Sequence, residues 1–242
     1  QDRSQKAGAY GARHLTQTEG TPCGRRTKTV IARDIVFSDL VIVLGWLLLA
    51  LFAQPWRLLA GTSGLALLTP MLACLAVLPW LWALPSLHAM PLQLQLSGAC
   101  LVVLCLGWPL AVPVLVVVGV LAALVSPMAW EQALALTTWL GVVPATLALG
   151  LGALVRRFVG AHLFVYILGR AFLGTVACVF ASGALSQWAG HTLAGVPSGQ
   201  SLIAHWLMAW GDGFATGMLC AIFVAYRPQW LATWSDRLYF PR

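Results

Sequence analysis

Residues 201–240 read SLIAHWLMAWGDGFATGMLCAIFVAYRPQWLATWSDRLYF. Between Ser201 and Tyr226 there is no Lys or Arg, and one imidazole, His205, and one carboxylate, Asp212, interrupt an apolar run. At about 1.5 Å per residue, a helix over this run exceeds a hydrocarbon core of roughly 30 Å, so it is expected to span a membrane. Asp212 then lies near the middle of the span, where an ionised carboxylate costs about 2.5–3.5 kcal/mol on insertion scales. It must face protein, water or an ion. Arg227-Pro228 ends the helix, because proline removes a backbone donor and forces the preceding residue out of helical geometry. In the tail at 227–242, Trp230, Trp234 and Tyr239 suit a headgroup zone, while Arg227, Arg237 and Arg242 mark that side as cytoplasmic.

Composition points the same way. The chain of 242 residues is 60% hydrophobic and 9% charged, whereas soluble domains carry about 25% charged residues. The net charge of +7 is not a nucleic-acid surface: seven of the fourteen Lys and Arg fall in residues 1–34 and others cluster at helix ends. Cys74, Cys100, Cys105, Cys178 and Cys220 sit inside apolar runs without a CxxC pair and read as packing residues. No Walker A, HExxH or GxSxG motif gives soluble-enzyme chemistry a foothold, so no catalytic role is expected.

Residues 1–34 are polar, rich in Gly, Thr and Arg, and carry no Met; they are expected to be disordered, or upstream sequence read through from a mis-called start. Ile35–Ala53 is the first apolar run. It resembles a secretory signal ending at Leu51-Phe52-Ala53, but its length favours a retained helix. Gly64–Leu84 is the second span, ending at Pro85, and His88 follows in a loop. The apolar block Leu92–Val125 is too long for one tilted helix, so we divide it at Gly107-Trp108-Pro109 into two spans of about 15–17 residues. Gln93, Gln95 and Ser97-Gly98 in its first half are expected to face the bundle interior. Gln132–Val155 is the fifth span, with a kink at Pro144, Ala161–Trp188 the sixth and Ser201–Tyr226 the seventh.

The expected fold is therefore an all-α transmembrane bundle of about seven helices over residues 35–226. With the amino terminus outside, Arg57, Arg156-Arg157 and the basic tail share the cytoplasmic side, leaving Glu131 and His191 outside.

Arg170 and Asp212 are the only formal charges expected deep in the bilayer, and an ion pair between them would clamp the last two helices. His205, Met208 and Asp212 share one helix face at spacing i, i+3, i+7, so imidazole, thioether and carboxylate form a candidate set for a divalent transition metal. Gly213 and Gly217 are spaced for close packing, with Gly169, Ala171 and Gly174 on the sixth helix as the complementary surface.

Three stretches resemble a known family. They are Gly217–Tyr239, containing VAYRPQWLATWSDRLY, then HLFVYILGRAFLGT at His162–Thr175, and LQLSGA at Leu94–Ala99 followed by Gly107-Trp108-Pro109-Leu110. Over roughly residues 40–240 the chain is similar to bacterial inner-membrane permeases of energy-coupling factor (ECF) transporters, relatives of cobalt/nickel substrate-binding subunits. The resemblance implies a compact bundle of six or seven helices that binds substrate in the membrane, with a transmembrane coupling protein and cytoplasmic ATPases as partners.

In this sequence Gln95 stands where the metal-binding relatives carry a histidine, Asp212 where the last helix carries a glutamate, and Arg170 at an Asn-like position. An amide oxygen is a poorer nickel or cobalt ligand than imidazole. The expected interior is thus Gln93, Gln95, Arg170, His205 and Asp212, serving uptake of a transition metal or another small nutrient. The competing expectation is a membrane scaffold in which the Arg170–Asp212 pair is architectural.

Overall fold

The computed structural model describes residues 22–56, 64–87, 95–158, 162–191, 193 and 196–234. The chain divides into two compact units, Gln1–Asp34 and Ile35–Arg242. Of the first, residues 22–34 are described and helical; residues 1–21, where disorder is expected, lie outside the described residues, as do Arg57, His88, Gln93, Arg237, Tyr239 and Arg242. Among its described residues the second unit has helices and no strands, with six helices long and apolar enough to cross a membrane.

In chain order the helices are α1 (Pro22–Phe52), α2 (Gly64–Leu87), α3 (Ala99–Leu106), α4 (Trp108–Val125), α5 (Trp130–Phe158), α6 (Val165–Trp188) and α7 (Ser201–Tyr226). Proline is abundant inside them: Pro70, Pro79 and Pro85 in α2 and Pro113 in α4. Membrane helices tolerate it where neighbours satisfy the freed carbonyls. The core surrounds α3 and α4, where Val102, Val103, Leu106, Val112, Leu115 and Val118 are essentially inaccessible. From Phe37 to Phe52, α1 turns most of its large side chains outward, with Val43 and Ala50 among the few that are buried.

The expected break at Gly107 is present, at φ 76°, a left-handed conformation that suits glycine. Its N–H closes α3 on the Val103 carbonyl, and its own carbonyl accepts the Ala111 N–H, opening α4. The segment before it is not the expected full helix. Residues 95–98 are non-helical, and α3 has 8 residues. At 1.5 Å per residue that is about 12 Å, less than half a hydrocarbon core.

Two groups of chain ends define the bundle's two ends. The carboxy-terminal residues of α2, the start of α5, the chain after α6 and the start of α7 meet around one cavity. At the opposite end the chain after α7 closes on the end of α3. Among the described residues six helices are thus long enough to cross, and the non-helical residues 95–98 with the half-length α3 form a shorter segment beside them.

The kink expected at Pro144 takes the form of a π-helical stretch over Thr137–Val142. Pro144 has no N–H to return to the turn before it. The carbonyls of Trp139 and Leu140 in that turn accept the hydroxyls of Ser182 and Ser97. A second π stretch, Val165–Leu173, opens α6.

Close packing of the last two helices follows the small residues on α7. A Cβ on Gly217 would meet Phe172 at 3.1 Å, and one on Gly213 would strike Val176. Gly174 serves a different neighbour, Leu151 of α5.

The tail expected at the headgroups is folded against the bundle as far as it is described. After a turn at Pro228–Trp230, Leu231 is 2% and Trp234 9% exposed. The N–H groups of Ala232 and Thr233 donate to the carbonyls of Cys105 and Leu104 at 2.9 and 3.3 Å. Thr233 Oγ1 also donates to Leu104, and Tyr166 shares a 2.8 Å hydrogen bond with Thr233. Trp234 stacks edge-on to Tyr166, with centroids 4.9 Å apart. These contacts supply donors to the carbonyls that the last turn of α3 leaves unused.

Candidate functional site

Gln95 to Gly98 cross the bundle interior without helical hydrogen bonds, so each amide needs a partner. Asp212 provides two of them. Its carboxylate accepts the Ser97 N–H at 2.9 and 3.0 Å and the Gly98 N–H at 3.1 Å, and the residue is 1% exposed. This is an N-cap supplied from another helix, and negative charge at the first turn of α3 also complements the helix dipole.

Ser97 is held by further contacts. Trp82 Nε1 donates to the Ser97 carbonyl at 3.1 Å, and Ser97 Oγ accepts the Ala99 N–H at 3.2 Å. Gly98, at φ 64°, takes the turn that leads into the helix.

Above this floor lies a cavity of about 290 Å³. Its polar lining comes from Gln95, Gln132, His191 and His205, with Met208, Trp82 and Trp139 among its larger walls. Gly183 on α6 makes room for His205, since a Cβ there would sit 2.5–2.6 Å from the imidazole.

The predicted face of α7 is therefore divided. His205 and Met208 line the cavity, while Asp212, one turn further, turns to the α3 amides. Gln95 is in the cavity, and Gln93 lies outside the described residues. Among the described residues no three His, Cys, Asp or Glu side chains converge as metal ligands.

Arg170 is not the partner of Asp212. No ion pair links them, and the Asp212 carboxylate is occupied by backbone amides. Depth explains the difference. Asp212 lies 14 residues, about 21 Å, from the end of α7, whereas Arg170 lies five residues, about 7.5 Å, from the start of antiparallel α6. Arg170 instead packs over the Tyr166 ring at 5.7 Å and against Gly152.

A second buried carboxylate, absent from the sequence reading, stands at the cavity end. Asp39 of α1 is 1% exposed; its Oδ1 accepts Trp139 Nε1 at 3.0 Å, and its Oδ2 lies 3.1 Å from His191 Nε2. It fixes two cavity-lining side chains at once. The signal was a lone acid five residues inside an apolar run, beside a span that carries Trp139.

No family model, curated protein or solved structure matches the chain.

Proposed function

We propose that this protein is a substrate-binding membrane subunit of an ECF-type importer and that the cavity above Gln95 holds a small nutrient. The observation that carries the reading is this cavity at one bundle end, floored by the non-helical residues 95–98 that lead into a half-length helix. Discontinuous helices recur at substrate sites in transporters because their unpaired backbone groups face the interior.

The size and lining favour a small organic nutrient over a bare metal ion. A volume of about 290 Å³ lies at the lower end of small-molecule sites, which are mostly apolar with a few placed polar groups. Asp212 is occupied by the α3 amides and Asp39 by Trp139 and His191. A cobalt- or nickel-like ion would rely on His205 and Met208, with His191 as a further imidazole.

Positive-inside topology gives the cavity to the outer face of a bacterial inner membrane, with the carboxy terminus in the cytoplasm. Partners would be a transmembrane coupling protein and cytoplasmic ATPases. The family resemblance motivates that assignment.

Trp82 and Trp139 give the cavity an intrinsic reporter. We expect tryptophan fluorescence of the detergent-purified protein to titrate saturably with one member of a panel of water-soluble vitamins, Co²⁺ and Ni²⁺. Gly183→Ala should weaken that response about tenfold or more by displacing His205. No response to any panel member, together with unchanged uptake of each in a deletion strain, would defeat the importer reading.

The scaffold reading is favoured by one observation, that Asp212 serves as a cap rather than a ligand. Copurification without ATPase subunits would support it.

A further inference from the structure

Arg170 is 8% exposed, and its Nη1 is buried without a hydrogen-bond partner. Among the described residues no carboxylate lies within 4.0 Å of it. A guanidinium stays charged at any accessible pH, and an uncompensated charge in an apolar interior is costly, so a negative partner is called for. The Tyr166 ring, 5.7 Å away, contributes only a quadrupole.

Beside Arg170 is a second cavity of about 10 Å³, lined also by Cys100, Val103, Leu104, Ala148, Leu151 and Gly174. That volume admits about one water-sized body. The Cys100 thiol is directed to the Pro144 carbonyl at 3.9 Å, leaving Arg170 as the polar donor of the lining.

We propose that this cavity binds a single halide-sized monovalent anion that neutralises Arg170 inside the bundle. Phosphate, sulfate and carboxylates are too large and carry several oxygens that this lining could not satisfy. A halide accepts one or two N–H groups and tolerates apolar contact on its other sides. Gly152 keeps the guanidinium in place, because a Cβ there would lie 2.8–3.0 Å from its atoms. The site is independent of the importer reading: it lies at the tail end of the bundle, away from the cavity that would hold substrate.

The test compares thermal midpoints of the detergent-purified wild type and Arg170→Gln in sodium chloride, bromide and gluconate at one ionic strength. Chloride and bromide should raise the wild-type midpoint by a few degrees, saturating with concentration, and leave Arg170→Gln unmoved. Equal wild-type midpoints in all three salts, or a shift that persists in Arg170→Gln, would overturn the assignment. Should the variant not fold, crystals of the wild type grown in bromide decide: an anomalous peak in hydrogen-bonding reach of Nη1 supports the site, and its absence leaves water only and overturns it.

Discussion

Asp212 shows what one carboxylate can do where the backbone departs from helical geometry. It receives two amides that would otherwise face apolar side chains, and hydrogen bonds to a charged group contribute about 1.5–3 kcal/mol each. Asp212→Ala should therefore lower stability by several times RT, read as a fall in the detergent thermal midpoint, while Asp212→Asn, which keeps one acceptor oxygen, should lose less. Equal losses in both variants would mean that charge, not the acceptor alone, holds the break together. The sequence made Asp212 conspicuous as a buried acid, but the face it shares with His205 and Met208 by spacing is divided between the cavity and the α3 amides. It did not disclose the partner, because backbone amides carry no residue identity: Ser97 and Gly98 qualify only once their segment is unwound. Asp39 was missed for the opposite reason, since a single acid barely lowers the hydropathy of so apolar a run.

Among the elements, α3 is the one that the others position. Its ends are served by α7 and by the chain that follows it: Asp212 at the start, Ala232 and Thr233 at the finish. Trp234→Ala should cost about 3–5 kcal/mol, as expected for truncating a buried aromatic, and should loosen this finish more than any substitution at exposed Gln229. Limited proteolysis of the tail end would report it.

The same geometry governs the charge exchange. Arg170→Asp combined with Asp212→Arg should be at least as damaging as either change alone, because the two side chains belong to different depths; recovery of the thermal midpoint in the double variant would contradict the observed separation. Helical rise alone could have excluded that pair from the sequence, had the depths of the two residues been compared. The Gly107 joint and the Pro144 irregularity were both legible, one as a conformation only glycine adopts readily, the other as a missing N–H. The unwinding at 95–98 was not, since Leu94, Leu96 and Ala99 are as apolar as any helix.

At the scale of the whole molecule charged residues sort to the two ends of the bundle. Arg156-Arg157 and Arg227 share one end, Glu131 and His191 the other. Single cysteines introduced at Glu131 in a cysteine-free background should react with an impermeant maleimide applied to intact cells, and those at Arg157 only after permeabilisation. The reverse pattern would invert the bundle and turn the large cavity toward the cytoplasm. Bundle architecture could be read from composition because hydropathy accumulates over some twenty residues. The cavity could not, because it depends on where four chain ends meet.

The clamp on α3 also has a consequence in time. The bonds that complete its two ends join residues 115 and 129 positions apart. At roughly 5–20 residues per second of synthesis, α3 waits about 6–25 s for its cap to emerge from the ribosome. Until then its bare amides need shelter from lipid, so the insertion machinery must retain the early segments, and nascent chains truncated before Asp212 should be substrates for membrane quality-control proteases.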